Sequence, residues 1–428
     1  MTPSLSPTTS HHVAVIGAGA AGHSVVVFER QKQVGGTWIY TDHVETDPLS
    51  VDPTRTVVHS SVYASLRTNL PRECMGYLDF PLVVRSGDPR RFPSHGEVLA
   101  YLQDFAKEFA IEEMIRFGTA VERVAPESEG GNRKWRVEST ETEKRVRRDE
   151  VYDAVVVCSG HYTEPRLADI PGISSWPGKE MHSHNYRIPE PFKDQVVVLI
   201  GNSASAVDIS RDIAGHAKEV HVAGRSNAAD TLSNSPIDRF HEDGSVVFQN
   251  GKTILVDVIM HCTGYKYHYP FLETNGSVTV DDNRVGPLYK DVFPPALAPY
   301  ISFIGIPSQV SPFRLFELQS KWISGVLSGR IILPSKEDMM KDIKYFYATV
   351  EAQGIPKRYT HRTQFEYNDW LASQCGCSET EQWRKEMYLT TGVRKRAHPE
   401  TYRDEWEDHH LISQASQDFS LYTLTCNM

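Results

Sequence analysis

Two short turns carry the residues whose types and spacing point to chemistry. The first, GAGAAG, sets Gly17, Gly19 and Gly22 around Ala18, Ala20 and Ala21, the spacing of a turn that cradles a dinucleotide pyrophosphate. The first glycine of such a turn bends the chain, the second lets the backbone approach the phosphates, and the third lets a helix pack closely on a strand. The phosphate then rests at the helix N-terminus, where backbone N–H groups have no partner within the helix. Glu29 follows as the acid that would hold a ribose hydroxyl. The second turn, GNSASA, keeps Gly201 and places the small Ser203 and Ala206 where the other two glycines would stand, with Asn202, Ala204 and Ser205 completing it. Arg225 lies 19 residues beyond Ala206, where a ribose 2′-phosphate would be read, and so favours NADP over NAD. The competing role for Arg225 is a solvated surface charge.

Strands and helices must hold these turns. HVAVI, residues 12–16, runs into the first turn, and SVVVFE, 24–29, is a β-branched run suited to a sheet buried on both faces. Val98, Leu102, Phe105 and Phe109 recur at helical spacing and predict a helix from His95. YDAVVVCSG, from Tyr152, is a further buried strand. QVVVLI, then GNSASA, then Ile209, Ile213 and Ala217 at helical spacing, then VHVAGRS, make a complete strand, turn, helix and strand. TILVDVIMHCTGY closes that unit, and YISFIGIP, 300–307, is one more strand ahead of the helical FELQSKWISGVLSG. The expected fold class is α/β, with two dinucleotide-binding, Rossmann-like units.

The first unit is short of a piece. Glu29 stands only 7 positions beyond Gly22, whereas a parallel crossover takes about a dozen residues or more. HVAVI and SVVVFE are therefore expected to form a short hairpin, or His23–Glu29 to follow another path, with the first βαβ unit truncated. Either outcome removes the helix N-terminus. A helix burying four apolar side chains would contribute roughly 6 to 12 kcal/mol, comparable with the roughly 5 to 15 kcal/mol that holds a whole domain folded. Its loss is expected to expose one face of the sheet.

The 428 residues have room for two or three domains, and 40% hydrophobic residues suit substantial cores. Forty-five basic against 55 acidic residues give a net charge of −10. Without a long basic block, a nucleic-acid backbone is not the expected partner; small molecules are. No apolar run approaches the roughly 18 residues of a membrane span, and the polar start lacks the pattern of a signal peptide, so a cytoplasmic location is expected. Six scattered cysteines suggest reduced thiols. Cys375 and Cys377 could form a redox or metal pair, but no further Cys/His cluster supports a metal.

Beyond Glu29 the sequence continues as QKQVGGTW, SSVYASLRTNLPRECMGYLDFP, WPGKEMHSHNY, GNSASA with GRS, and HCTGY. In that order these segments resemble the flavin-containing monooxygenases, most closely the plant branch that S-oxygenates methylthioalkyl glucosinolates, from about residue 12 to about residue 420. The family pattern aromatic-x-Gly-x-x-x-His-x-x-x-aromatic is matched by Trp176, Gly178, His182 and Tyr186, with Trp where Phe is usual.

The resemblance implies an FAD-binding domain, 12–190 and 286–428, interrupted by an NADP-binding domain, 191–285, behind a tail of residues 1–11. It implies that Gly17, Ala18, Gly19, Ala20, Ala21 and Gly22 receive the FAD pyrophosphate and Glu29 its adenosine ribose, while Gly35, Gly36 and Trp38 pass close to the flavin. NADPH would deliver a hydride to the flavin, O2 would add at flavin C4a, and the hydroperoxide would oxidise a soft nucleophile such as a thioether. Asn69, in YASLRTN, matches the family's active-site Asn; its other reading is a loop-capping amide. Thr263, Gly264 and Tyr265 match a linker motif serving the return between domains. Relatives carry a helix of about a dozen residues between the counterparts of Gly22 and His23. Two further readings stand beside S-oxygenation: a related monooxygenase acting on amines or ketones, and a non-catalytic remnant unable to hold FAD. A disulfide reductase is disfavoured, because no CxxxxC pair follows the first turn.

Overall fold

The computed structural model describes residues 11–16, 24–55, 57–84, 87–127, 134–224, 233–308, 310–359 and 364–425. Gly17 to Gly22 and Arg225 lie outside the described residues, as do residues 1–10 of the tail.

The β-branched runs build two five-stranded sheets. The first has the spatial order Ile301–Phe303, Ala154–Val157, His12–Ile16, Ser24–Phe28, Ile115–Arg116, parallel throughout. The second runs Ser233–Asn234, Glu219–Ala223, Val196–Ile200, Val258–His261, Lys179–His182, again parallel throughout. Every strand of the second sheet lies in the chain between Ala154–Val157 and Ile301–Phe303, so the second unit is inserted into the first. Lys179–His182, which the sequence division assigns to the first unit, is the edge strand of the second sheet.

One expectation about the first unit is overturned. His12–Ile16 and Ser24–Phe28 neither form a hairpin nor part company; they pair in parallel, His12 opposite Ser24 and Ile16 opposite Phe28. Reach explains this. Eight Cα steps from Ile16 to Ser24 span about 26 to 29 Å when extended, while returning along four strand residues and across one strand spacing needs about 14 Å. A dozen residues is what a helical crossover consumes, not what the chain must span.

The expected exposure of a sheet face is corrected as well. Val13, Val15 and Val27 are buried in one cluster with Ala154 and Val156. Ala106 of the helix His95–Glu108 packs into that cluster, as do Leu318, Trp322 and Ile323 of the helix Pro312–Leu327. Both helices pack on that face. On the opposite face Ala14, Ile16, Phe28, Val155 and Val157 pack with Trp135, Val137 and Tyr152 of an antiparallel three-stranded sheet, Thr119–Glu127, Lys134–Glu141 and Val146–Tyr152.

The helix predicted from His95 ends at Glu108. Phe109 therefore stands just past its end and is 47% exposed, while Val98 is buried. The second-unit helix is Ala204–Ala214, with Ile209 and Ile213 buried against Val197 and Leu199. No helix of the described residues is long and apolar enough to cross a membrane.

Candidate active site between the two sheets

A cleft of about 1710 Å³ is lined by residues that follow the C-terminal ends of strands in both sheets. Cys158 and Gly160 follow Ala154–Val157, Ile304 and Gly305 follow Ile301–Phe303, Gly201 follows Val196–Ile200, and Cys262 to Gly264 follow Val258–His261. Ligands of open parallel sheets bind at these carboxyl ends. An ordinary small-molecule pocket is roughly 300 to 1,000 Å³, so this cleft has space for more than one ligand.

The second glycine turn forms one wall. Gly201 adopts φ 119°, and a Cβ there would stand 2.5 Å from the Cys262 carbonyl oxygen, so only glycine fits. Ser203 precedes the helix in extended conformation. Asn202, Ser203, Ala204 and Ser205 line the cleft, which sets the N-terminal end of an 11-residue helix against it. The first N–H groups of a helix have no partner within it, so this wall suits a phosphate. Ala206 is buried among Val197, Ile209 and Val222. Its small side chain serves close packing of helix on sheet rather than ligand contact. Gly224 lines the cleft one residue before Arg225.

The first unit supplies Val34, Thr37, Trp38 and Asn69. Gly35 has φ 142°, and a Cβ there would meet Leu99 Cδ1 at 2.2 Å; Gly36 follows at φ 50°. Together they turn the chain into the short helix Gly36–Trp38. Glu29 follows the Ser24–Phe28 strand and accepts the Gln31 amide at 2.7 Å. Burial raises its carboxyl above the usual range, opposed by the amides of Gln31 and Arg30. Asn69 projects from a loop whose neighbours are fastened: Thr68 N donates to Pro93 O at 2.9 Å and His95 N to Leu66 O at 3.1 Å, and Arg67 Nε donates to Phe92 O at 3.0 Å.

The wall beside Gly160 is uncharged. Burial pushes His161 down to about 4 and the Cys158 thiol up to about 12. Cys375 and Cys377 also line the cleft as free thiols, and burial, with Cys377 nearby, lifts Cys375 to about 11.

Trp176, Gly178, His182 and Tyr186 are architectural. The Trp176 ring covers Gly178 so closely that a Cβ there would lie 2.1 Å from Cη2, and the indole N–H donates to Gly244 O at 3.1 Å. His182 accepts the His184 amide on Nδ1; its proton is therefore on Nε2 and donates to Gly264 O at 3.2 Å. Tyr186 donates to Asp212. Thr263 donates to Arg166 O, and Tyr265–Lys266 pairs antiparallel with Glu164–Pro165. The outgoing and returning passages between the units are thus bonded side by side.

Sequence reading missed two anchors. Arg187 donates to five carbonyls, those of Thr41, His43, His184, Tyr186 and Ser60. Arg403 grips Asp208 with both terminal nitrogens, at 3.1 and 2.6 Å. Thr41, His43 and Ser60 lie more than a hundred residues from Arg187, as does Asp208 from Arg403, so no local spacing signals these contacts.

Two parallel sheets, one inserted in the chain of the other and sharing a cleft at their strand ends, define a two-domain dinucleotide-binding oxidoreductase. The chain belongs to the flavin-binding monooxygenase-like family, which it matches over residues 10–235 and 228–380, and it is a flavin monooxygenase of the plant GS-OX-like branch. The flavin-containing monooxygenase FMO GS-OX-like 4 of Arabidopsis thaliana is 77% identical over 452 positions, covering 99% of this chain and 100% of its own length. That alignment is 24 positions longer than the 428 residues of this chain. An S-allyl-L-cysteine S-oxygenase from Allium sativum is 56% identical with a TM-score of 0.93, covering 97% of this chain and 99% of its own. Tmm of a Pelagibacter strain, 24% identical with a TM-score of 0.77 over 92% of this chain and 93% of its own, shares the fold.

Proposed function

We propose that the chain is an FAD- and NADPH-dependent monooxygenase that S-oxygenates small thioethers, methylthioalkyl glucosinolates among them, to sulfinyl products. The observation that carries this reading is the shared cleft, whose walls include Trp38 and Asn69 from one unit and Gly201 to Ser205 from the other. The names of the relatives, a GS-OX-like monooxygenase and an S-allyl-L-cysteine S-oxygenase, support the choice of sulfur.

In this reading the Gly201 turn and the N-terminus of Ala204–Ala214 hold the NADP pyrophosphate, and Arg225 its 2′-phosphate. Gly17 to Gly22 and Glu29 hold FAD, and the Val34–Trp38 bend approaches the flavin. With NADPH and O2, bound FAD supplies the oxidising chemistry. The protein positions and shields. Tyr77, Phe313 and Phe316 give the cleft apolar walls that exclude water, His161 lines it as a neutral imidazole beside Tyr162 and Tyr267, and the Asn69 amide offers a hydrogen bond without a charge. A thioether sulfur carries its own lone pair, so no general base is required of the chain.

One observation favours a second reading, a remnant of the family that does not hold FAD. Only seven residues join Ile16 to Ser24, and the Arabidopsis relative aligns over 24 more positions than this chain has residues. The visible spectrum of the purified chain separates the two. Flavin absorbance at unit stoichiometry, with NADPH oxidation stimulated by a methylthioalkyl thioether, is the expected result for the enzyme. A colourless protein that gains colour when a family-type helix is inserted after Gly22 is the result expected of the remnant.

A further inference from the structure

Arg403 occupies a junction that no sequence motif marks. Its terminal nitrogens hold both carboxylate oxygens of Asp208, one turn into the helix that follows the second glycine turn. Its Nε donates to the carbonyl of Thr68 at 2.9 Å, the residue before Asn69. The side chain is 16% exposed and that of Asp208 18%. A fork of this shape, largely removed from water, fixes direction as well as distance.

The segment around Arg403 is sewn to the same surroundings. Asp404 takes both oxygens to Arg67 Nη1, at 2.8 and 3.1 Å, Arg211 Nη1 reaches Pro399 O at 2.6 Å, and Arg91 grips Asp408 at 2.6 and 2.8 Å. Residues 399–408 thus form a strap across the first-unit loop and the second-unit helix. The loop also touches that helix directly, Ser65 Oγ donating to Asp212 at 2.7 Å and Tyr63 to Asp208 at 3.4 Å. Of these links, Arg403 alone joins the helix to a residue adjacent to Asn69.

We propose that Arg403 is a positioning residue that couples dinucleotide binding at the Ala204–Ala214 helix to the placement of Asn69. It rests on the reading of the second turn as the NADP site. A dinucleotide seated on the helix N-terminus fixes that helix; Asp208 moves with it, Arg403 follows Asp208, and the Thr68 carbonyl follows Arg403. A seated nucleotide thereby tightens the hold on the loop bearing Asn69, beyond the bonds that already fasten its neighbours. Such coupling is a free energy shared by the two sites, so weakening the link weakens the nucleotide as well.

The test uses the full-length chain and NADPH, and needs no flavin. Hydrogen–deuterium exchange of residues 63–70 and 204–214 is measured with and without NADPH, alongside NADPH affinity by fluorescence. In the wild type, NADPH is expected to slow exchange in both segments. In Arg403→Met it slows exchange only in 204–214, and affinity falls about fivefold, the low end of measured couplings. Arg403→Lys, which keeps a charge for Asp208 but loses the bond to Thr68, is expected to lose both the affinity and the protection of 63–70, as Arg403→Met does, because the coupling is reciprocal. Arg403→Met with Asp208→Asn is no weaker than the weaker single variant, and Ser65→Ala leaves the transmitted protection intact. Protection reaching 63–70 undiminished in Arg403→Met, or absent from it in a wild type that binds NADPH, overturns the proposal alone. A wild type that binds no NADPH overturns the reading of the second turn, and the proposal with it, before any variant is compared.

Discussion

His182 donates its Nε2 proton to the carbonyl of Gly264, 3.2 Å away, while its Nδ1 accepts the amide of His184. One neutral imidazole thus joins the strand that enters the second unit to the turn that leaves it. Burial first, then the neighbouring His184 and His261, push its titration down to about 3.

This sets an acid sensitivity with a definite sign. In the unfolded chain His182 takes a proton near its ordinary value of about 6.5, whereas the folded chain refuses it until about pH 3. Its contribution is fully present above about 6.5 and is lost as pH falls through that window, at up to about 1.4 kcal/mol per pH unit. His161, pushed down to about 4 by burial, adds to the slope. The thermal midpoint is expected to drop between pH 7 and pH 5, and His182→Gln, which keeps a donor, to flatten the drop. An unchanged slope in that variant would show that the acid sensitivity comes from elsewhere.

Gly178→Ala places a methyl group against the Trp176 ring, which is itself held by its bond to Gly244. Overpacking of this kind costs about 1 to 3 kcal/mol. Denaturant unfolding measures it, and the double variant Trp176→Leu with Gly178→Ala is expected to cost less than the two singles summed.

Gly201→Ala collides with the Cys262 carbonyl and demands a φ of 119° from alanine. The turn must then move, and NADPH is expected to bind at least about tenfold more weakly, a loss of about 1.4 kcal/mol. Ala206→Gly, at a buried packing position, is expected to leave NADPH affinity within about twofold while costing about 1 kcal/mol of stability. Calorimetric titration of NADPH on each variant checks both.

Arg225→Ala is expected to weaken NADPH by at least about tenfold and NADH hardly at all, because the two cofactors differ only in the 2′-phosphate. Equal loss for both would remove the phosphate role.

The strands were legible in the residues themselves. HVAVI, SVVVFE, AVVV and VVVLI are β-branched runs with no polar interruption, and burial on both faces is the one environment that accepts them. The GNSASA turn was legible for the same reason: an apolar strand ahead of it, a helical period behind it and an arginine 19 residues on leave few other arrangements. Gly178 could be recognised in a pattern, but its reason, a tryptophan ring lying over it, appears only when the side chains are packed.

The short link between His12–Ile16 and Ser24–Phe28 marks where local counting fails. Loop length governs whether a helix can be accommodated, but not whether two strands can lie side by side. The neighbouring strands Ala154–Val157 and Ile115–Arg116, with the helices His95–Glu108 and Pro312–Leu327, supply enough contact to place the pair in parallel. That contact comes from residues distant in the chain, so no window around residue 17 could report it.

Local order along the chain determined the two α/β units, the glycine turns and the family to which the protein belongs, because backbone conformation and apolar period are properties of neighbours. Only the tertiary structure decided that the second turn and the Val34–Trp38 bend face one cleft, that the first two strands stay parallel, and that Arg403 ties Asp208 to the carbonyl beside Asn69. Those are contacts between residues up to 335 positions apart, and such contacts exist only once the chain has closed on itself.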